Sequence, residues 1–158
     1  MIFNNELYIT FPDSFREMNP AEYSNLLVNK NGEGAAFKDE EAHIVVSLGF
    51  KKAGVLAGLA LKIADPVSAM EQSLKRAMAS CNYRTTGMVE ADFGGTPAKG
   101  IRYTYSAKDG SGTTINMVAE SYVIRKPGSL YYFHYYTRAA LEEENRGVKD
   151  AVVRSVEW

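Results

Sequence analysis

Residues 84–137 read RTTGMVEADFGGTPAKGIRYTYSAKDGSGTTINMVAESYVIRKPGSLYYFHYYT, and this stretch decides the fold. Four of its segments are rich in β-branched and aromatic residues, and short glycine-containing turns separate them. The predicted strands are Arg84–Phe93, Ala98–Ala107, Thr113–Arg125 and Leu130–Thr137. Because consecutive strands joined by short turns pair in opposite directions, the pattern predicts an antiparallel meander.

Helical periodicity marks the regions on either side of this meander. Residues Pro66–Cys81 carry one apolar stripe at helical spacing. Asp65 is the predicted N-cap, because its carboxylate can accept the free N–H groups of the first turn, and Pro66 suits the first helical position. Glu142–Val153 is a second predicted helix with a thinner apolar stripe.

The segment before the first helix contains further strand-like runs at Leu7–Phe11, Ala35–Phe37 and Ala42–Phe50. The last of these is apolar at nearly every position, which is typical of a strand buried on both faces. Strands that are grouped instead of alternating with helices indicate an α+β fold. The sequence therefore predicts a single domain over residues 1–158, with an antiparallel sheet of about six strands flanked by helices on both faces.

Composition and charge exclude several classes of protein. The 158 residues have a formal net charge of -1, so no strong field attracts nucleic acid or an anionic membrane. The apolar run within 53–61 is shorter than the ~20 residues that a membrane-spanning helix needs. No signal-peptide pattern opens the sequence. We therefore expect a cytoplasmic protein if the chain is full length, and an extracytoplasmic one if a signal peptide was removed.

Four runs carry a resemblance to a known superfamily. They are Leu7–Pro12 (LYITFP), Pro97–Tyr105 (PAKGIRYTY), Leu130–Thr137 (LYYFHYYT) and Val152–Val156 (VVRSV). In these runs and in the order of its elements, the chain resembles the PsbP-like superfamily, and is similar to its small bacterial members. That superfamily includes a photosystem II extrinsic subunit and a factor that binds the Ran GTPase. The resemblance implies an antiparallel sheet between helices and a binding or scaffolding role. It transfers no functional residue, because the members bind unrelated partners.

The sequence contains no recognisable set of catalytic residues. His43 and His134 are the two histidines, and neither has a second ligand at helical or strand spacing, as a metal site would need. Cys81 is the single cysteine, which excludes an internal disulfide. The sequence therefore predicts no catalytic residue, no metal site and no cofactor.

Tyrosines are concentrated on the adjacent predicted strands. Period-two geometry places Tyr131, Phe133 and Tyr135 on one face of the last strand, and Tyr132, His134 and Tyr136 on the other. The candidate binding residues of this aromatic group are Tyr103, Tyr105, Tyr132, His134 and Tyr136. Cross-strand packing under a helix is the alternative interpretation. A further hypothesis adds an anionic contact through Arg102, Arg125 and Arg138.

A second candidate surface is the apolar, glycine-broken segment 53–64, where a polar loop would be usual. Its candidate binding residues are Leu56, Leu59 and Leu61. An exposed apolar segment would mark a docking site for a partner or for a second copy. The alternative is a helical turn or hairpin that packs on the core.

Three hypotheses of function follow from these features. The first is a non-catalytic binding or adaptor protein that recognises a protein partner through an apolar and aromatic surface. The second is a small-molecule-binding or enzymatic domain with a pocket near His134. The third is a structural subunit of a homo-oligomer, such as a homodimer, that associates through an exposed sheet edge.

Overall fold

The computed structural model describes residues 1–24, 33–52 and 65–158. The strands in these residues are β1 (Ile2–Phe3), β2 (Leu7–Tyr8), β3 (Arg16–Glu17), β4 (Glu33–Asp39), β5 (Ile44–Lys52), β6 (Arg84–Phe93), β7 (Thr96–Lys108), β8 (Thr114–Lys126) and β9 (Ser129–Arg138). The helices are α1 (Pro20–Ser24), α2 (Pro66–Ala77) and α3 (Glu142–Arg154), with a 3-10 turn at Ala139–Leu141 directly before α3.

Seven of the strands form one antiparallel sheet in the order β3-β4-β5-β9-β8-β7-β6. The predicted α+β class and the antiparallel meander are confirmed, but the sheet has seven strands where about six were expected. The additional strand, β3, consists of two exposed polar residues, which carry no hydrophobic pattern. The predicted strand at Leu7–Phe11 shortens to β2 and pairs with β1 in a separate two-stranded sheet.

Consecutive residues of β9 pack into two different hydrophobic clusters. Tyr131, Phe133 and Tyr135 belong to a cluster with Val152 and Val153 of α3, which we call the α3-side core. The β9 residues that alternate with these pack against α2, in a second cluster that we call the α2-side core. It contains Leu130, Tyr132 and Tyr136 of β9, together with Val67, Met70 and Leu74 of α2. This division is the period-two alternation predicted for the last strand.

Local chemistry explains where α2 begins and how β7 approaches β8. Asp65 Oδ1 accepts the backbone N–H of Val67 at 3.0 Å, as predicted for an N-cap. The helix ends at Ala77, before the predicted Cys81, whose side chain is half-buried. A Cβ on Gly100 of β7 would lie 2.1 Å from the carbonyl oxygen of Ser121, so only glycine permits this strand spacing. No helix in the described ranges is both long and apolar enough to cross a membrane.

Candidate functional site

The aromatic residues predicted to bind a partner lie mainly in the interior. Tyr103, His134 and Tyr136 are 0%, 2% and 4% exposed. Tyr103 and Tyr136 belong to the α2-side core, and the His134 ring stacks with that of Tyr136 at 6.2 Å between centroids. Tyr105 and Tyr132 are half-buried at the margin of the same cluster. Leu56, Leu59 and Leu61 lie outside the described residues. The structure therefore brings the five aromatic-group residues together as packing of the α2-side core.

A chain of neutral polar side chains runs through this core. His134 Nδ1 lies 2.6 Å from Ser121 Oγ, which in turn lies 3.0 Å from the Tyr103 hydroxyl oxygen. We call Tyr103, Ser121 and His134 the imidazole chain. Tyr103, Ser121 and His134 occupy three adjacent strands, and Ser121 is the direct cross-strand neighbour of His134. Hydrogen bonds of this kind offset the cost of burying polar groups.

Burial determines the charge state of the imidazole chain. It lowers the pKa of His134 to about 4 and raises the pKa values of Tyr103 and of Tyr136, which packs beside the chain, so that these groups are neutral at pH 7. Ser121 Oγ and His134 Nδ1 are arranged as in a nucleophilic pair, but the two side chains are 0% and 2% exposed. A substrate would have no access to them, so this arrangement stabilises the sheet instead of presenting a nucleophile.

A pocket of about 230 Å³ opens on the α3 side of the sheet. Tyr135 and Thr137 of β9 form part of its wall. Its charged lining residues are Arg102 of β7, Glu120 of β8, and Glu142, Arg146 and Lys149 of α3. We call this the charged pocket. Three cationic groups thus face two carboxylates in a small volume.

Glu120 is the centre of the charged pocket. Its Oε2 accepts hydrogen bonds from Lys149 Nζ at 2.7 Å and from the Tyr122 hydroxyl at 2.8 Å. Its Oε1 lies 3.5 Å from a guanidinium nitrogen of Arg102. Burial alone would raise the pKa of the Glu120 carboxyl, but these hydrogen bonds and the positive charges of Lys149 and Arg102 outweigh burial and lower it. Glu120 is therefore a carboxylate whose binding capacity is largely used inside the protein.

The start of α3 is fixed against the sheet by Asn145. Its side-chain amide donates to the Thr137 hydroxyl and to the Ala42 carbonyl, each at 2.8 Å. The Tyr135 hydroxyl donates to the Asn145 carbonyl at 3.2 Å, and burial raises the pKa of Tyr135 to about 12. These contacts place Glu142, at the first turn of α3, beside Arg102, with which it forms an ion pair.

Of the five charged residues of the pocket, only Arg102 was a candidate from the sequence, and Glu120, Glu142, Arg146 and Lys149 were missed. A signal for Glu120 was present, because it is the single charged residue in the otherwise uncharged stretch 115–124. A charged group in a buried strand requires a partner of opposite charge. The identity of that partner could not be read from the sequence, because Lys149 is 29 residues away and is brought close only by the packing of α3.

The described residues contain no group of three or more His, Cys, Asp or Glu side chains arranged to hold a metal ion. The wall of the charged pocket carries guanidinium, ammonium and carboxylate groups, which are the groups of an ionic binding site.

Comparison with known proteins shows what this fold is similar to. No protein-family model matches the sequence. No curated protein matches it either. Among solved structures, cyanobacterial PsbP (CyanoP) from Synechocystis sp. PCC 6803 aligns with a TM-score of 0.63 and 12% identity, over 96% of this chain and 92% of that chain.

Two further solved structures extend the likeness. The Ran-binding protein Mog1p of Saccharomyces cerevisiae aligns with a TM-score of 0.56 and 9% identity, over 99% of this chain and 92% of that chain. LpqN of Mycobacterium tuberculosis, described as involved in cell envelope biogenesis, aligns with a TM-score of 0.53 and 12% identity, over 96% of this chain and 82% of that chain. The likeness spans nearly the whole chain in each case, and it shows that this chain has the PsbP-like fold that its sequence resembles.

Proposed function

We propose that this chain is a non-catalytic domain that binds a protein partner, and that the partner contacts the charged pocket. The observation that carries the proposal is the pocket itself, a cavity of about 230 Å³ lined by five charged side chains from two strands and one helix. The burial of the Ser121–His134 pair supports a role other than catalysis. The whole-chain likeness to the Ran-binding protein Mog1p supports a protein as the partner.

The exposed rim of the pocket offers a direct test. Glu143 lies beside the pocket with a side chain that is 83% exposed, and it pairs with Arg146 of the pocket wall at 2.8 Å. A photoreactive amino acid in place of Glu143 should form a discrete cross-linked adduct with one protein in a lysate of the source organism. The same amino acid in place of Met88, 66% exposed on β6, is the control position.

Two charge variants make this experiment specific to the pocket. Arg146→Gln in the cross-linking chain should reduce the adduct severalfold, because Arg146 lines the pocket. Arg154→Gln removes the same charge from an exposed position in the last turn of the same helix and should leave the adduct unchanged. An adduct of equal yield from both cross-linking positions, or one insensitive to Arg146→Gln, would contradict the proposal.

The apolar segment 53–64 remains a second proposed contact, which rests on the sequence alone. Lys52, the residue before this segment, pairs with Ser129 at the start of β9. The pocket residues Tyr135 and Thr137 lie toward the other end of β9, so Lys52 marks a part of the sheet separate from the pocket. We expect Leu59→Asp to weaken binding of the cross-linked partner. Unchanged binding would remove this segment from the proposed surface.

The two alternatives from the sequence are also testable. A small-molecule site near His134 would require an opening to a side chain that is 2% exposed, and His134 does not line the charged pocket. Association of two copies through a sheet edge would use β6, a ten-residue strand at the end of the described sheet. Light scattering at increasing concentration would show a mass of twice 17.5 kDa if the homodimer forms.

A further inference from the structure

Arg102 lies between two carboxylates that are held very differently. Glu120, on one side, also accepts hydrogen bonds from Lys149 and Tyr122, and its side chain is 11% exposed. Glu142, on the other side, forms an ion pair with the second terminal nitrogen of Arg102, and its side chain is 26% exposed. Within the described residues, the Glu142 carboxylate makes no ion pair or side-chain hydrogen bond other than this one. Glu142 can therefore leave Arg102 at a lower cost than Glu120 can.

Removing Glu142 from Arg102 would change the charge of the pocket. Glu120 would then be the one carboxylate left among the lining residues, against Arg102, Arg146 and Lys149. Glu143 and Asp150 lie outside the lining, where they pair with Arg146 and Lys149 and reduce the surplus of positive charge, but neither is paired with Arg102. A guanidinium group presents two parallel N–H donors that match the two oxygens of a carboxylate. The vacated side of Arg102 would therefore accept another carboxylate in the place of the Glu142 carboxylate.

We propose that Glu142 is an intramolecular substitute for a ligand, and that the charged pocket binds a carboxylate that displaces Glu142 from Arg102. This inference rests on the proposed function in assigning the same pocket, and it names the chemical group that the pocket recognises. At about 230 Å³ the pocket is smaller than the ~300–1,000 Å³ typical of sites for drug-sized ligands, so it suits one small acidic group. That group can belong to a free organic acid or to an acidic side chain of a protein.

Defined probes separate these two sources. Amide chemical shifts of the ¹⁵N-labelled chain would be followed during titration with succinate, with a five-residue blocked peptide containing one Glu, and with the same peptide containing Gln. Shifts should be centred on Ala119, Thr137 and Lys149, which line the pocket. Binding of succinate alone assigns a free acid, and binding of the Glu peptide but not the Gln peptide assigns an acidic side chain. Equal binding of inorganic phosphate would overturn the choice of a carboxylate.

Two variants should change the affinity in opposite directions. Glu142→Gln removes the competing carboxylate and should tighten binding about fivefold, the order expected for losing one partly exposed ion pair. Arg102→Lys keeps the charge but loses the planar pair of donors, and should weaken binding at least about tenfold. Glu144→Gln makes the same charge change as Glu142→Gln at an exposed position in the same turn, and should leave the affinity within about twofold of the unaltered chain.

The outcomes are distinct from those of the cross-linking experiment. If Glu142→Gln binds the probes no more tightly than Glu144→Gln, or if no probe shifts the pocket amides in either variant, the inference is wrong. A successful titration without a cross-linked protein would leave a free acid as the ligand and remove the protein partner. A cross-linked partner without any effect of Glu142→Gln would retain the proposed function and remove the substitution mechanism.

Discussion

Glu120 and Ser121 are neighbours on β8, yet they belong to polar clusters of opposite character. Ser121 joins the imidazole chain, in which neutral groups are hydrogen-bonded and almost completely buried. Glu120 joins the charged pocket, in which ionised groups pair beside an opening. The difference teaches that a sheet can bury neutral polar groups at little cost, whereas charged groups are retained where partners and solvent reduce the cost of desolvation.

Gly100 is the position at which both clusters can be broken at once. It allows β7 to approach β8, and the neighbouring residues Arg102 and Tyr103 reach Glu120 and Ser121 from that strand. Gly100→Ala should lower the free energy of unfolding by about 3 kcal/mol or more, because the new methyl group meets backbone that cannot move alone. Urea unfolding measures this loss. Gly87→Ala on β6, where a Cβ would meet no atom within 4 Å, should cost less than about 0.5 kcal/mol.

Acid should destabilise the two clusters in different pH ranges. The pKa of His134 falls from 6.5 in the unfolded chain to about 4 in the folded one, so the unfolded state binds more protons between these values. The free energy of unfolding should therefore fall by about 3 kcal/mol as the pH drops from 6.5 to 4. Protonation of Glu120 removes its ion pairs. Because the pKa of Glu120 is lowered from 4.5, this loss of stability should occur only below pH 4.5.

Unfolding of a His134→Gln variant at a series of pH values separates these contributions. The variant has no imidazole at position 134, so its stability should be nearly constant from pH 6.5 to 4.5 and should fall only below that range. A slope between pH 6.5 and 4.5 equal to that of the unaltered chain would show that another group titrates there.

Glu120→Gln tests the charged pocket alone. The amide oxygen can still accept one hydrogen bond, but Lys149 and Arg102 lose their buried negative partner. We expect a loss of about 2 kcal/mol, within the range for hydrogen bonds to charged groups. A double-mutant cycle with Lys149→Gln should give a coupling energy above about 0.5 kcal/mol, and additive losses would show that the two residues act independently.

Ser121→Ala tests the imidazole chain alone and should have a smaller effect than Glu120→Gln. It removes the hydroxyl that joins His134 to Tyr103. The buried Nδ1 of His134 would then lack its partner, so we expect a loss of about 1.5 kcal/mol, within the range for one unsatisfied buried polar group. A loss larger than that of Glu120→Gln would reverse the ranking of the two clusters.

The difference between the clusters also marks what the sequence could predict. Local signals gave the strand Arg84–Phe93 with its bounds, since the Gly94-Gly95 turn follows it directly, and they gave the alternation along β9. The burial of the tyrosines was left open between packing and binding, because an aromatic strand looks the same in either case. The charged pocket depends on α3 docking against β7 and β8, and no local pattern encodes which residues meet there.

The place of β5 in the sheet has a consequence for the order in which the protein folds. Strands β6 to β9 each pair with a neighbour in sequence, whereas β5 pairs with β9 from Ile44 opposite Thr137 to Lys52 opposite Ser129. The pairing of β5 with β9 closes a loop that contains all the residues between these two strands, and this costs more entropy than forming a hairpin. We therefore expect the β5–β9 pairing to form late. Pulsed hydrogen exchange should then find the amides that join β7 to β8 protected before those that join β5 to β9. The last event in folding would thus be the meeting of two preformed parts of one sheet.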